Sequence, residues 1–150
     1  MSTTVAAIRK TITVAAAPEQ AFRTFTDAIA RWWPVETHSI HARETEEVVL
    51  EARVGGRFYE RSSSGGTAAW GEVLECDPPH LVRFTWHPGY ETGAPATEIE
   101  VRFEPDSEGT RVELEHRGWE RLGAAAAEKQ PSYDEGWDYV LGRFAAHISS

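Results

Sequence analysis

Hydrophobic and polar residues alternate with a period of two through several stretches of the chain, and this period predicts β-strands. The alternation is clearest at residues 81–86, where Val82, Phe84 and Trp86 share one face. Comparable patterns place predicted strands at residues 8–14, 48–54, 57–61, 68–76, 81–86, 97–104 and 111–117. The glycines at positions 55 and 56 predict a two-residue hairpin turn between the second and third strands.

Two short helices are predicted between the first and second strands. Pro18 suits the first turn of a helix, because its fixed φ is helical and its missing N–H needs no partner there. Phe22 and Phe25 lie three positions apart, as on one face of a helix, and the apolar pattern continues to Pro34. We expect the two helices to be joined near residues 26–28.

A long helix is predicted at the carboxyl end of the chain. Ser132 and Glu135 have the spacing of a capping box, which predicts that this helix begins at Ser132. An apolar stripe then recurs at helical spacing, formed by Tyr133, Trp137, Val140, Leu141, Phe144 and Ile148. This stripe must be buried against another element.

The order of these elements predicts an α+β protein. We expect a curved antiparallel sheet of six to seven strands wrapped around the long C-terminal helix, with the two short helices after the first strand. The chain of 150 residues has the size of one domain, and no repeat or linker divides it. A single domain spanning residues 1–150 is therefore expected.

Charge and composition argue against several classes of function. A net charge of −9, without a cluster of Lys or Arg, disfavours binding to nucleic acid or to anionic membranes. The single cysteine, Cys76, leaves no internal disulfide, and the amino-terminal residues do not resemble a secretion signal. The cytoplasm is therefore the expected location. No cofactor is expected, since no phosphate-binding glycine motif occurs.

Several motifs in the same order resemble those of a known family. They are residues 53–58 (RVGGRF), 71–79 (GEVLECDPP), 81–86 (LVRFTW), 109–116 (GTRVELEH) and the pair Gly136 and Trp137. Together with the element order, they are similar to the START-like (SRPBCC) superfamily with its helix-grip fold, which includes the birch-pollen-allergen proteins. Within it, they resemble the bacterial AHSA-type branch named for the activator of the heat-shock-protein ATPase. The resemblance covers nearly the whole chain.

This resemblance implies a hydrophobic cavity between the concave sheet and the C-terminal helix that accepts small apolar molecules. Six Trp, six Phe and four Tyr fit such a lining, although an aromatic-rich core would use the same residues. The ligand-binding residues expected on these grounds are Trp33, Phe58, Trp70, Phe84, Trp86, Val101, Leu114, His116, Tyr133, Trp137 and Leu141.

His116 and Glu72 are the candidate acid and base if the chain is an enzyme. His116 alternates with Val112 and Leu114, so it faces inward, where it is either a hydrogen-bonded core residue or a group that contacts ligand. Glu72 faces the cavity only if Trp70 and Leu74 also point inward; with Gly71 and Val73 inward instead, it is solvated.

Other polar residues carry weaker hypotheses. Arg57 could pair with an anionic ligand or lie at the surface. The spacing of His38, His41 and Glu44 offers three potential metal ligands, but the polar, aperiodic sequence around them argues for a solvated loop, so no metal is expected. Cys76 has no basic neighbour that would activate it as a nucleophile.

Three functions remain open at this point. Binding of a small apolar or aromatic molecule is favoured, because enclosure and aromatic lining are expected while paired catalytic groups are not evident. The alternatives are a protein-interaction module that stimulates a chaperone ATPase in a stress response, and a cyclase, dehydratase or hydrolase acting on small molecules. A small apolar molecule is the expected partner, and a homodimer is left open.

Overall fold

A computed structural model describes residues 6–34, 44–86, 96–122 and 125–148 of the chain. The strands are β1 (Ile8–Val14), β2 (Thr45–Leu50), β3 (Arg57–Ser62), β4 (Thr67–Asp77), β5 (Leu81–Trp86), β6 (Thr97–Asp106) and β7 (Gly109–Arg117). The helices are α1 (Pro18–Phe25) and α2 (Ala125–Ile148), with short 3-10 helices at Ile29–Arg31 and Trp119–Leu122.

The seven strands form one antiparallel sheet in the order β1-β7-β6-β5-β4-β3-β2. Six strands follow one another as neighbours, and β1 closes the far edge by pairing with β7, with Ile8 opposite His116. The sheet curls into a half-barrel with α2 as its C-terminal helix, which confirms the predicted α+β helix-grip fold.

The two helices and the sheet meet through aromatic side chains near α1. Phe25 contacts Phe103 of β6 and Phe144 of α2, with ring centroids 5.9 and 5.5 Å apart. Phe22 adds a second contact to Phe103 at 5.4 Å. These edge-to-face pairs fix α1 between the sheet and α2. The predicted helix start at Pro18 is confirmed, and the second short helix is the 3-10 segment Ile29–Arg31.

The outer face of the sheet carries ion pairs, as the charged alternation of β6 and β7 predicts. Arg83 pairs with Glu98 at 2.7 Å, and Arg117 pairs with Glu100 at 3.2 Å. Ion pairs on the solvent-facing side of a protein contribute about 0–1 kcal/mol each. We therefore expect the charges of this face to favour solubility more than stability.

A separate ionic contact links β1 to α2. Lys10 Nζ lies 2.9 Å from a carboxylate oxygen of Asp134 and 3.1 Å from one of Asp138. The hydrogen bond to Asp134 is the main cause of the raised Lys10 pKa. The contact joins the sheet edge to the helix that crosses it.

β2 lies earlier in the sequence than the strand predicted at residues 48–54. β2 begins at Thr45 and ends at Leu50, because Thr45, Val48 and Leu50 are buried while Val54 is exposed. Its pairing with β3 is irregular between Thr45 and Glu47, so the sequence alternation is broken at its start.

The connection between β2 and β3 is a six-residue loop, so the predicted two-residue turn was wrong. Gly55 adopts a φ of 82°, and a Cβ at Gly56 would lie 2.2 Å from the carbonyl oxygen of Glu51. Gly55 therefore allows a left-handed backbone conformation, and Gly56 allows the backbone of the loop to approach Glu51 closely.

Helix α2 begins at Ala125, seven positions before the predicted start, and includes Pro131. The capping-box prediction at Ser132 was therefore wrong. The alanine run at residues 124–127 has the highest helix propensity of any residue type, which favours the earlier start. Neither α2 nor any other helix in the described residues has the length and apolarity needed to cross a bilayer.

Candidate functional site

A cluster of five aromatic side chains occupies the interior between the sheet and α2. We call it the central aromatic cluster; its members are Trp33, Phe58, Trp70, Trp86 and Trp137. The ring of Trp33 lies 5.1 Å from that of Trp70 and 6.0 Å from those of Phe58 and Trp137. The ring of Trp86 also lies 5.6 Å from those of Trp70 and Trp137. Residues from β3, β4, β5, α2 and the segment after the 3-10 helix thus converge on one place.

His116 lies beside this cluster and is completely buried. Trp137 Nε1 donates to His116 Nδ1 at 3.0 Å, so Nδ1 acts as the acceptor. The proton of the neutral ring must then lie on Nε2, which is 2.6 Å from Thr97 Oγ1. Thr97 in turn donates its hydroxyl to the backbone oxygen of Trp86 at 3.3 Å. Each ring nitrogen of His116 therefore already has a partner.

Burial lowers the pKa of His116 from 6.5 to about 3. A histidine with this pKa is neutral at physiological pH and is a poor proton acceptor. Of the two roles predicted from the sequence, the geometry matches the hydrogen-bonded core residue. Contact between His116 and a ligand remains a hypothesis.

Trp86 and Tyr133 are neighbouring aromatic residues in the same region. Trp86 is 8% exposed, yet its Nε1 is buried and has no hydrogen-bond partner among the residues that the structure describes. The Tyr133 ring lies 6.2 Å from the Trp86 ring and 5.5 Å from the His116 ring. Burial raises the pKa of Tyr133, and the nearby Trp86 N–H partly offsets this rise, although the two groups lack the geometry of a hydrogen bond.

Other indole N–H groups in the protein donate hydrogen bonds, in contrast to that of Trp86. Trp32 Nε1 donates to Thr24 O at 2.7 Å, and Trp119 Nε1 donates to His116 O at 3.0 Å. Trp137 donates to His116, as described above. Since buried donors are nearly always paired, an unpaired buried indole N–H calls for an explanation in ligand binding or in strain.

A buried carboxylate, which the sequence analysis did not identify, lies on β3. Glu60 is completely buried and accepts hydrogen bonds from Trp70 Nε1 at 2.7 Å and from Thr45 Oγ1 at 3.0 Å. Its alternation with Phe58 was the available signal, since residues two apart on a strand share a face. Burial of a charged group is costly unless it is hydrogen-bonded, and these contacts supply that compensation.

The remaining predicted lining residues all lie inside the protein. Phe84, Val101, Leu114 and Leu141 are each at most 2% exposed. Their close packing agrees with either role considered from the sequence, since a core residue and a cavity-lining residue are both shielded from bulk solvent.

Glu72 is exposed, so of the two orientations considered from the sequence the structure has the solvated one, and Glu72 does not lie beside His116 as a catalytic partner. Gly71 and Val73 are the buried pair on β4. The register of β4 shifts against β3 between Phe58 and Tyr59 and against β5 between Val73 and Glu75, and such bulges change which residues face inward.

Three further candidates do not join this region. Arg57 is exposed and stacks over the ring of Tyr59, which matches a surface role. Burial raises the pKa of the Cys76 thiol, which makes it a weak nucleophile. Of the metal-ligand candidates, His38 and His41 lie outside the described residues, and Glu44 is exposed.

Two open grooves lie on the outer surface of the described part of the chain. One, of about 400 Å³, lies beside α1 and is lined by Gln20, Arg23, Thr24, Asp27, Ala28 and Arg31. The other, of about 300 Å³, crosses the charged outer faces of β1, β6 and β7. Neither is the interior cavity expected from the sequence, which remains a proposal.

Solved structures of other proteins share this fold. The anthrahydroquino-gamma-pyrone synthase Txn09, solved in complex with SUM, is 34% identical, with a TM-score of 0.64; the match covers 95% of this chain and 96% of that one. CalU16 from Micromonospora echinospora is 25% identical, with a TM-score of 0.61 and coverage of 95% and 72%. The Aha1 dimer from Colwellia psychrerythraea is 19% identical, with a TM-score of 0.68 and coverage of 96% of each chain.

The family assignment follows from the sequence match together with these structures. No curated protein sequence matches this chain significantly. The profile of the family described as Activator of Hsp90 ATPase homolog 1-like protein, in contrast, matches residues 15–149. That span includes α1, α2 and all strands except β1. The chain therefore belongs to the Activator of Hsp90 ATPase homolog 1-like family.

Proposed function

We propose that this chain binds a small aromatic molecule between the sheet and α2, against the central aromatic cluster. The unpaired N–H of Trp86 carries this proposal, because a buried donor without a partner is costly unless something else supplies an acceptor. The surrounding rings offer the flat apolar surfaces on which an aromatic ligand stacks. Most of the ligand's affinity would come from this apolar contact.

Binding is tested with two-ring probes of the naphthalene series in equilibrium dialysis against the purified chain. We expect saturable binding near one probe per chain, together with quenching of tryptophan emission. Phe58→Leu, which reshapes the cluster without removing a polar group, should weaken binding several-fold. Phe103→Leu is the matched control, since Phe103 is also fully buried on the sheet but contacts Phe22 and Phe25. Non-saturable binding, or equal loss in both variants, would contradict the proposal.

A second candidate function is ring closure on an aromatic polyketide-like substrate. It is favoured by the 34% identity, over nearly the full length, to a protein named as a pyrone synthase. In such a reaction Tyr133 would donate a hydrogen bond to the carbonyl oxygen of the ligand, since burial raises its pKa and the hydroxyl stays protonated. His116, with its low pKa and occupied nitrogens, would hold the rings in place.

The two candidates differ in what Tyr133→Phe does. In a pure binding protein this variant leaves no reaction to lose, whereas in a cyclase it should lower turnover at least tenfold with a smaller effect on KM. The assay follows conversion of an open-chain aromatic diketone by mass spectrometry and chromatography. Absence of any ring-closed product with the unmodified chain would count against the second candidate.

The interaction role suggested by the family description has less support from the described surface. Among the large apolar side chains that are exposed there, Val54 lies in the loop before β3, Leu74 on β4 and Tyr139 on α2. Protein interfaces usually need a contiguous apolar centre. If none of the aromatic probes binds, the protein-interaction role would be favoured over ligand binding.

A further inference from the structure

We propose that Trp86 and Tyr133 form a two-donor site for a single neutral carbonyl oxygen of the bound molecule. This inference rests on the proposed function and specifies the chemistry of its ligand. The ligand class is a flat aromatic ketone, quinone or pyrone, held by its rings against the central aromatic cluster. The indole N–H and the phenol O–H would both donate to the same oxygen.

Trp86 and Tyr133 supply two hydrogen-bond donors. Trp86 Nε1 is buried and has no hydrogen-bond partner of acceptable geometry within the described part of the chain, and Tyr133 brings a phenol hydroxyl beside it. The two side chains are neighbours, and the Trp86 N–H is close enough to influence the titration of the phenol. Two donors thus lie at one place, and the indole N–H has no matching acceptor among the described residues.

The second step is that the neighbouring polar groups are already satisfied. Nδ1 of His116 accepts from Trp137, and Nε2 faces the hydroxyl of Thr97. The Thr97 hydroxyl continues to the carbonyl oxygen of Trp86. These groups hold Trp86 and the imidazole in position, but they leave no acceptor for the indole N–H. In the proposed complex, the ligand supplies this acceptor.

The third step concerns charge. Among the described residues, the buried polar and charged side chains include no Lys or Arg, while Glu60 is a buried acid bonded to Trp70 of the same aromatic cluster. An anionic ligand would therefore lose its hydration without gaining a counter-charge from these residues. A neutral carbonyl meets both donors without this cost, which selects a ketone over a carboxylate.

The test compares three probes of similar shape on the folded chain. These are 2-acetylnaphthalene, a neutral ketone; 2-isopropenylnaphthalene, in which a CH₂ group replaces the carbonyl oxygen; and 2-naphthoate, an anion. We expect the ketone to bind about five- to tenfold more tightly than the hydrocarbon, the gain typical of well-made hydrogen bonds, and more tightly than the anion. The infrared carbonyl band of the bound ketone should move to lower frequency than in an apolar solvent.

Two conservative variants assign the effect to residues. Trp86→Phe and Tyr133→Phe each keep an aromatic ring and remove one donor, so each should reduce the preference for the ketone while hydrocarbon binding changes little. Tyr139→Phe removes a hydroxyl from the exposed side of the same helix and should leave the preference intact.

The outcomes separate this inference from the proposed function. Saturable but equal binding of ketone and hydrocarbon, an unshifted carbonyl band, or a preference that survives both variants overturns the two-donor site and leaves aromatic binding standing. Tighter binding of 2-naphthoate overturns the selection for a neutral group. No saturable binding of any probe overturns the proposed function and this inference with it.

Discussion

Trp137 donates its indole N–H to Nδ1 of His116 at 3.0 Å, and this one contact determines the tautomer of a completely buried imidazole. A residue of α2 therefore determines which ring nitrogen of His116, on the sheet, carries the proton. The bond also crosses the layer in which the proposed ligand is held, so its consequences for stability can be measured without any ligand.

Stability should fall with decreasing pH because of His116. The unfolded histidine takes up a proton near pH 6.5, whereas the folded one resists protonation until about pH 3. Between these values the unfolded state binds more protons, so the free energy of unfolding decreases as the pH falls, by up to about 1.4 kcal/mol per pH unit. Above pH 6.5, His116 does not make the free energy of unfolding depend on pH.

Urea unfolding at a series of pH values measures this effect. In His116→Ala the slope between pH 6.5 and 4 should become shallower, on top of a lower stability at pH 7. His80→Gln, a change at an exposed histidine, is the control and should keep the wild-type slope. An unchanged slope in His116→Ala would contradict the assignment.

Glu60 should be essential for the local packing of β3 and β4. Glu60→Leu removes the acceptor of the Trp70 indole N–H, and an orphaned buried donor costs about 1–3 kcal/mol. Glu60→Gln keeps a carbonyl oxygen and should cost less. Chemical denaturation compares these variants with Glu72→Gln, an exposed change expected to stay within about 0.5 kcal/mol. A Glu60→Leu protein as stable as the Glu72→Gln protein would disprove the role.

Gly71 should be intolerant of any side chain. A Cβ placed there would lie 1.8 Å from the carbonyl oxygen of Thr85, so β4 and β5 would have to separate in Gly71→Ala. Gly142→Ala is the matched control, because nothing lies within 4 Å of its added methyl. In the helix this second change should stabilise the protein by up to about 1 kcal/mol. Thermal unfolding should move in opposite directions for the two variants; a loss of similar size in both would be inconsistent with the close approach.

Phe144 should be among the most costly residues to truncate in α2. Its ring lies 5.5 Å from that of Phe25 and 5.1 Å from that of Trp32, and it is completely buried. Phe144→Ala should cost about 3–5 kcal/mol through the cavity it leaves. Tyr139→Ala, at a position 51% exposed on the same helix, should cost far less. Equal losses in denaturant unfolding would mean that α2 does not pack as described.

Sequence pattern was sufficient where a strand is regular. In β5 the alternation placed Phe84 and Trp86 inside, and in β7 it placed His116 inside, because an unbroken strand turns every second residue to the same face. It failed in β4, where Trp70 and Gly71 are both buried beside a bulge. A bulge depends on the neighbouring strands, and no local pattern in β4 announces it.

The candidate site was only partly predictable for a related reason. Pattern could place Trp86 and Tyr133 on inward faces, but whether an indole N–H finds a partner depends on residues distant in sequence. Glu60 was missed because residue type argued for the surface, while the acceptor role that makes its burial affordable needs Thr45 and Trp70 in place. The start of α2 was misjudged because the capping signal at Ser132 competed with the alanine run before it.

The pairing of β1 with β7 has a consequence for how the protein is made. The backbone oxygen of Ala16 accepts a hydrogen bond from Thr110, 94 positions later, and that of Ala6 accepts one from Gln130, 124 positions later. Contacts this distant form late and slow the folding of a small domain. β1 therefore cannot pair until β7 has been synthesised, and the nascent sheet keeps an open edge until β7 has left the ribosome.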